Sequence, residues 1–352
     1  MAQIRIALDA MGGDNAPDAI CEGALLALRE FNDISIQLYG PQSAIREKIS
    51  GAEEGIKGRI DVIDAPGVIS MHDAPMLAVR RKTESSMVKA ALAVKDGSAD
   101  AFVSAGSTGA VLACGMLRIG RIKGIDRPAL AVVYPGAEKP FLLLDSGANT
   151  DCQSKWLVQF GLLGAAYMHA LFSIEKPDVK LLNIGAEDSK GNKLALETYE
   201  MMSKQKAYAF GGNIEARDVP YGRADVVVCD GFDGNIVVKL TEGLASAMFG
   251  LMKQDMFATT RGKVGAMLVK PSLKNFKGRL DSEKHGGAPL LGVNGAMVKA
   301  HGNSTALAMK NAIRQAAQMV RGNVVERIKG GVEELSALYS DKTQKEEEQH
   351  GI

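Results

Sequence analysis

The sequence predicts an α/β protein of three layers, in which helices cover both faces of a largely parallel sheet. Two observations carry this prediction. Short apolar runs alternate along the chain with stretches of helical period, a pattern typical of strands joined by crossover helices. The 352 residues also suffice for one extended α/β domain or two intertwined lobes. The formal net charge of +1 argues against a protein that binds nucleic acid over its whole surface.

The elements follow in order along the first two thirds of the chain. Eight apolar runs predict buried strands, at 4–8, 34–39, 59–64, 100–105, 129–134, 141–145, 180–185 and 225–230. Helical segments are predicted between most of them, at 16–29, 75–94, 107–117, 154–172 and 192–202. The strands at 129–134 and 141–145 follow each other directly, which predicts a hairpin-like insertion at a seam between two lobes.

The character of the chain changes after Asp230. A Met-rich helix is predicted over 235–257, with an apolar face formed by Leu240, Leu244, Met248, Leu251 and Met256. Residues 261–285 carry seven Lys or Arg against two acids. A strand pair at 289–301 and helices at 303–321 and 323–338 complete the fold. We therefore predict one catalytic α/β domain over 1–340, a basic helical protrusion at about 240–285, and a disordered charged tail at 341–352.

The cysteines and the N-terminus indicate a reduced, cytoplasmic setting. No CxxC pair or zinc-ligand spacing occurs among Cys21, Cys114, Cys152 and Cys229. The chain begins with an alternating apolar run rather than a signal peptide, and no apolar run approaches the ~20 residues that span a bilayer. Acidic residues such as Asp9, Asp14, Asp230 and Asp233 suit turns and caps, so no essential metal or cofactor is predicted.

A glycine-rich loop, SAGSTGA at 104–110, joins a predicted strand to a predicted helix. Free backbone N–H groups at a helix start favour an anion, and the glycines allow close approach. For one such loop taken alone, ordinary capping by Ser and Thr is the better explanation. Similar junctions at 230–239 and 301–309 favour a shared anion pocket outside the carboxyl ends of the strands. Neither GxGxxG nor GxxxxGK[ST] is present, so the loops fit a small free anion better than a nucleotide.

Several motifs resemble one bacterial family throughout the chain. These motifs are DAMGGDNAP (9–17), SAGSTGA (104–110), LDSGAN (144–149), NIGAEDSKG (183–191), DVVVCDGFDGN (225–235), GGAPLLGVNG (286–295) and HGNS (301–304). Together they are similar to the acyl-ACP:phosphate acyltransferases, the PlsX family. Ser107 stands where that family more often has Asn.

The resemblance implies a reaction, a fold and partners. The reaction transfers a fatty acyl group from the thioester of acyl carrier protein to inorganic phosphate, and the acyl phosphate then serves a membrane acyltransferase. The implied fold is that of isocitrate and isopropylmalate dehydrogenases, shared with phosphotransacetylase. A homodimer, peripherally associated with the inner face of the membrane, is also implied.

The site prediction combines this resemblance with the loop chemistry. Lys190 is expected to neutralise phosphate and Asn235 to donate to the carbonyl oxygen, while His285 or His301 protonates the leaving thiolate. A solvated loop lysine and a plain N-cap are the structural alternatives for Lys190 and Asn235. Contacts with phosphate or substrate are predicted for Gly106, Ser107, Thr108, Gly109, Asn149, Gly234, Asn303 and Ser304. No protein nucleophile is required, because bound phosphate attacks directly.

The basic segment is predicted to face acidic partners. Its cations are Arg261, Lys263, Lys270, Lys274, Lys277 and Arg279. They suit acidic acyl carrier protein or anionic lipid, while the apolar face suits the dimer interface; merely solvated cations are the alternative. Two competing functions remain open. A dehydrogenase of the same fold is disfavoured because no acid is placed to read a ribose, and a non-catalytic scaffold would tolerate substitution of Lys190 and Asn235.

Overall fold

The structure, a computed structural model, describes residues 3–279 and 286–335. Within these residues one sheet of eleven strands has the order β3-β2-β1-β4-β11-β10-β5-β6-β9-β7-β8. The strands are β1 (Ile4–Asp9), β2 (Ile34–Gly40), β3 (Ile60–Asp64), β4 (Ala101–Ser104), β5 (Ala129–Tyr134), β6 (Phe141–Leu144), β7 (Asp178–Asn183), β8 (Ala209–Glu215), β9 (Val226–Val228), β10 (Ala288–Leu291) and β11 (Ala296–Lys299).

Helices fill the connections between the strands. They are α1 (Asp18–Glu30), α2 (Gln42–Ile49), α3 (Glu54–Lys57), α4 (Pro75–Arg81), α5 (Ser86–Lys95), α6 (Thr108–Cys114), α7 (Ser154–Phe172), α8 (Lys193–Lys204), α9 (Gly231–Phe257), α10 (Thr260–Arg279) and α11 (Ala306–Arg321). A π-helical turn (Gly115–Ile119) continues α6, a 3₁₀ turn spans Val219–Tyr221, and residues 324–335 are helical.

The sheet consists of two parallel halves that run in opposite directions. Strands β3, β2, β1, β4 and β11 are mutually parallel, and so are β6, β9, β7 and β8. The antiparallel pairs β11–β10, β10–β5 and β5–β6 join the halves. As a result, the carboxyl ends of β4 and β11 lie at one edge of the sheet, while those of β6, β7 and β9 lie at the opposite edge.

The two faces of the sheet are packed differently. On one face a continuous core runs across both halves, with α1, α7 and α11 covering residues such as Leu8 and Leu144. On the other face the core is divided in two. One part surrounds Phe102 beneath α5 and α6, and the other surrounds Leu143 beneath the start of α9. The central strand β5 lies between these two parts, and this division leaves room for a cleft.

The predicted fold class is confirmed: helices flank a large, mostly parallel sheet. The hairpin of β5 and β6 and the returning pair β10–β11 are also as predicted. Three details were wrong. The helix predicted over 75–94 is divided into α4 and α5, strand β8 was not foreseen, and α9 begins at Gly231 because the Asp230 carboxylate caps it by accepting from Asp233 N.

Beyond its first turns α9 leaves the sheet and packs with α10. Within the described helix only Gly231 and Gly234 are buried. The predicted apolar face is present, and Leu240, Met248 and Leu251 are each more than 60% exposed. Further apolar side chains of α10, including Met267 and Leu268, are exposed as well.

Candidate active site

A cleft of about 470 Å³ runs along β5 on the divided face of the sheet. Leu130, Val132 and Val133 form its floor, and α9 forms one wall. The residues that line it are Thr108, Leu130, Val132, Val133, Ser146, Gly147, Asn235, Val238, Lys239, Glu242, Gly286, Gly287, Ala288, Lys299 and His301. The cleft therefore joins residues that follow β4 and β11 at one edge with residues that follow β6 and β9 at the other.

At one end, a buried carboxylate organises the glycine-rich loops. Asp9 accepts hydrogen bonds from the Ser104 hydroxyl at 2.7 Å and from Met11 N at 3.2 Å. Ser104 Oγ in turn accepts from Gly106 N at 3.0 Å. Burial raises the pKa of Asp9 because the charged form is desolvated, although these hydrogen bonds oppose the shift. The network holds the turn that leads to Thr108.

At the other end, Asp145 plays the corresponding part for the loop after β6. Its carboxylate accepts from the backbone N–H groups of Leu130, Ala148 and Asn149 at 3.1, 3.0 and 2.7 Å. Burial raises the pKa of this carboxyl group as well. The following residue, Ser146, donates its hydroxyl to the Leu130 carbonyl at 2.9 Å. This loop is consequently held against the start of β5.

Asn235 enters the cleft from the second turn of α9. Its side chain packs against Gly147, where an added Cβ would lie 3.5 Å from the Asn235 Cβ. Gly147 has φ of +134°, a conformation that favours glycine. The amide of Asn235 is thus held beside Ser146 at the end of the cleft, where it can donate to an oxygen atom of a bound substrate.

Lys299 supplies a half-buried cation that the sequence analysis did not single out. It lies on β11 opposite Ser104 of β4, and its side chain lines the cleft. Burial lowers the pKa of its ammonium. In the described part of the chain no carboxylate forms an ion pair with it. Strand alternation was the available signal, since Lys299 shares its face with the core residue Met297.

Lys190 lies elsewhere. Its loop follows β7, and the neighbouring residues Asn183, Gly191 and Asn192 line a second cavity of about 550 Å³. Lys190 itself lines neither this cavity nor the cleft within the described residues. The junctions that meet in the described cleft therefore do not bring Lys190 with them. The reason is that the cleft runs along β5, and β7 is separated from β5 by β6 and β9 in the strand order.

The predicted phosphate contacts divide between the cleft and structural roles. Thr108 lines the cleft, together with Asn235 and His301. Ser107 instead caps α6, since its Oγ accepts from Ala110 N. The Asn149 amide donates to the Pro128 carbonyl and to the Asp145 carboxylate.

Three of the predicted glycines and the turn at 303–304 also have structural roles. A Cβ on Gly106 would meet the Met87 side chain, one on Gly109 would meet Pro75, and one on Gly234 would meet the Asp145 carbonyl. The backbone carbonyls of Asn303 and Ser304 accept from the Asn15 amide. The cap of α11 is Thr305, whose Oγ accepts from Ala308 N.

Part of the predicted set falls outside the described residues. His285 lies outside them. The side chains of three α10 residues also lie outside the described part: Lys274, Lys277 and Arg279. Arg261, Lys263 and Lys270 are exposed on α10.

The four thiols are poorly suited to nucleophilic catalysis. All four cysteines are buried, and none lines the cleft. Burial raises the pKa of Cys21 to about 11 and the pKa of Cys114 and Cys152 to about 12; it also raises the pKa of Cys229. Because the thiolate is the reactive form, little of it exists near neutral pH.

Across 3–279 and 286–335, His, Cys, Asp and Glu side chains form no group of three or more that could hold a metal ion. Over the same residues, no helix combines the length and the apolar character needed to span a bilayer.

Known proteins resemble this chain in sequence. The family model described as "Fatty acid synthesis protein" matches residues 4–327. A phosphate acyltransferase of Alkaliphilus oremlandii is 47% identical over 332 residues, which cover 94% of this chain and 98% of the relative. A phosphate acyltransferase of Clostridium acetobutylicum is 45% identical over 334 residues, covering 94% and 99%.

Solved structures share the fold. A phosphotransacetylase from Streptococcus pyogenes superposes with a TM-score of 0.61 at 17% identity, covering 90% of this chain and 94% of that one. A branched-chain phosphotransacylase from Enterococcus faecalis gives 0.55 at 15% identity, covering 90% and 99%. From the family match and the close relatives, we conclude that the chain is an enzyme of the fatty acid synthesis protein family to which these phosphate acyltransferases belong.

Proposed function

We propose that this enzyme transfers a fatty acyl group from the thioester of acyl carrier protein to inorganic phosphate, releasing an acyl phosphate for phospholipid synthesis. The observation that carries the proposal is the half-buried Lys299 in a cleft that also contains the Asn235 amide and the Thr108 hydroxyl. A cation with few water molecules around it binds a small anion strongly, because the surrounding dielectric is low. The acyl-transfer reaction needs such an anion as its acceptor.

In this mechanism phosphate is the nucleophile. One phosphate oxygen attacks the thioester carbonyl carbon, the new C–O bond forms, and a tetrahedral oxyanion results. Holding the two reactants together can lower the barrier by ~7–11 kcal/mol in favourable cases. Asn235 donates to the oxyanion, and one such donor typically contributes ~10²–10³ in rate. Lys299 balances the charge of the phosphate.

Collapse of the intermediate breaks the C–S bond. The electron pair leaves with sulfur, and the thiolate takes up a proton. His301 lines the cleft and is exposed to solvent, so it can deliver that proton and recover another from water. The mechanism uses no acyl-enzyme, and the raised thiol pKa values described above support this feature. Lys190 and His285 remain candidates for the same reaction.

The proposed partners use surfaces outside the cleft. The exposed apolar face of α9 and α10 suits a second copy of the chain in a homodimer, and the α10 cations suit carrier protein or anionic lipid. A cytoplasmic enzyme associated peripherally with the inner face of the membrane would deliver acyl phosphate directly to a membrane acyltransferase. In this proposal the main sheet is one catalytic domain, from which α9 and α10 protrude.

A direct assay tests the proposed function. The purified enzyme is incubated with hexadecanoyl-carrier protein and ³²P-labelled phosphate. The expected product is labelled acyl phosphate, which hydroxylamine converts to the hydroxamate. Intact-mass measurement during turnover checks the mechanism. An enzyme that is heavier by one acyl group would exclude direct attack, and the absence of labelled acyl phosphate would reject the function.

A further inference from the structure

A second basic surface, discontinuous in sequence, lies beside the cleft. A groove of about 660 Å³ is lined by Met76, Met116, Leu117, Arg121, Asp126, Arg127, Gln153, Lys155 and Trp156. We call it the Trp156 groove. It contains the single tryptophan of the chain. Its lining combines thioether, aliphatic and aromatic side chains with three cations.

The groove concentrates positive charge in a nearly neutral protein. The residues that line it include three cations, Arg121, Arg127 and Lys155, against one carboxylate, Asp126, a balance of +2 where the whole chain carries +1; further Lys and Arg lie in the flanking segments 76–82 and 116–127. Tertiary contacts join these segments. The Arg118 guanidinium, for example, donates to the Val79 carbonyl at 2.6 Å and to the Arg80 carbonyl at 3.2 Å.

Much of this charge is available to a partner. Lys155 pairs with Asp126 at 3.0 Å. Arg127 lies over the Trp156 ring, 4.9 Å from its centroid, and Arg121 donates to a backbone carbonyl, that of Asp126. Neither arginine forms an ion pair with a carboxylate anywhere in 3–279 or 286–335. Both are exposed, and a carboxylate-bearing surface would therefore find two unpaired guanidinium groups.

The groove adjoins the end of the cleft at which Asn235 lies. Arg127 lines the groove and Leu130 lines the cleft. The two residues are three positions apart in the sequence, which corresponds to roughly 10 Å of extended chain. On another side, Met76 of the groove follows Pro75, which packs against Gly109, the residue after Thr108 of the cleft. A molecule seated in the groove can reach the reaction centre with a short flexible arm.

We propose that the Trp156 groove is the docking site of the acyl donor's protein moiety, an acidic carrier whose prosthetic arm enters the cleft between Arg127 and Leu130. This inference rests on the proposed function. The mixture of unpaired arginines with methionines, a leucine and an indole fits an acidic amphipathic helix, since such a helix presents carboxylates beside apolar side chains. A concave groove does not fit a flat lipid surface.

The test compares three hexadecanoyl thioesters: those of carrier protein, of coenzyme A, and of N-acetylcysteamine, which lacks both protein and phosphate. The variant is Arg121→Glu/Arg127→Glu. The control is Lys95→Glu/Lys176→Glu, an equal charge change at exposed sites outside the groove and the cleft. The rival surface is tested by Arg261→Glu/Lys263→Glu on α10.

We expect the groove variant to raise KM for the carrier thioester about tenfold and to leave kcat/KM for the N-acetylcysteamine thioester within about twofold. Added salt should raise the carrier KM of the wild type but not that of the groove variant. Should the double variant not fold, Arg127→Gln in the same salt titration replaces it.

Three results would overturn this inference without rejecting the proposed function. The groove variant could lose activity equally with all three donors, or equally with the carrier-protein and coenzyme A thioesters. The third such result is a loss of activity confined to the α10 variant. A wild-type enzyme inactive with every donor would instead reject the proposed function.

Discussion

Gly147 and Asn235 lie in contact at the end of the cleft, and a Cβ on Gly147 would be 3.5 Å from the Asn235 Cβ. The contact joins the loop after β6 to the helix after β9, two parallel neighbours in the sheet. Asp145 holds Gly147 in place, because its carboxylate also accepts a hydrogen bond from Gly147 N at 3.2 Å. The Asn235 amide is therefore positioned by two independent elements before substrate binds.

Replacing Asn235 by Ala should lower kcat by about 10²–10³ and change the KM for phosphate little, because the amide is assigned to the oxyanion rather than to phosphate. Steady-state kinetics with both substrates varied measures this. Thermal unfolding is the control and should be close to that of the wild type. A rise in phosphate KM with unchanged kcat would instead assign Asn235 to phosphate binding.

Replacing Gly147 by Ala should impair catalysis only through its effect on the position of Asn235. Its φ of +134° strains an alanine, as does the φ of +79° at Gly97, where a Cβ would meet no atom within 4 Å. Both variants should thus lose about 1 kcal/mol of stability. Only Gly147→Ala should lower kcat, because the strain falls on the loop that packs against Asn235. Chemical denaturation and kinetics of the two variants side by side separate strain from catalysis, and equal activities would contradict the assigned contact.

Lys299→Ala should raise the KM for phosphate by at least tenfold, since no other half-buried lysine lines the described cleft. The direction in which the phosphate KM changes with pH follows from the pKa of Lys299. Burial lowers the pKa of Lys299, so its charge is lost at a lower pH than for an ordinary lysine. Phosphate KM should accordingly rise on the alkaline side as pH passes through that lowered pKa. In Lys299→Arg the rise should move to higher pH, and an unchanged profile would exclude Lys299.

Lys190→Ala discriminates between the residue favoured by sequence and the one found in the cleft. Lys190 lines no part of the described cleft, whereas Lys299 does. If the cleft as described binds phosphate, Lys190→Ala should change phosphate KM less than Lys299→Ala by about tenfold or more. Isothermal titration with inorganic phosphate provides a second measurement that is independent of turnover. A larger effect at Lys190 would show that another chain or another conformation brings it to the phosphate.

Sequence by itself determined the layers, the hairpin β5–β6 and the returning pair β10–β11, because apolar periodicity and turn residues act locally. It also singled out Thr108, Asn235 and His301 from motifs that follow strands, and all three line the described cleft. Ser107 shows the limit of such reasoning, since the same hydroxyl can bind an anion or cap a helix, and here it caps α6.

Only the tertiary structure decided which junctions meet. The cleft along β5 collects loops from both edges of the sheet, those after β4 and β11 and those after β6 and β9. Strand β7 lies beyond β6 and β9 in the strand order, and Lys190 is absent from the described cleft. The Trp156 groove has the same origin, because its lining residues come from three separate segments of the chain. Periodicity records the burial of each strand, whereas strand direction and long-range pairing depend on how the whole sheet assembles.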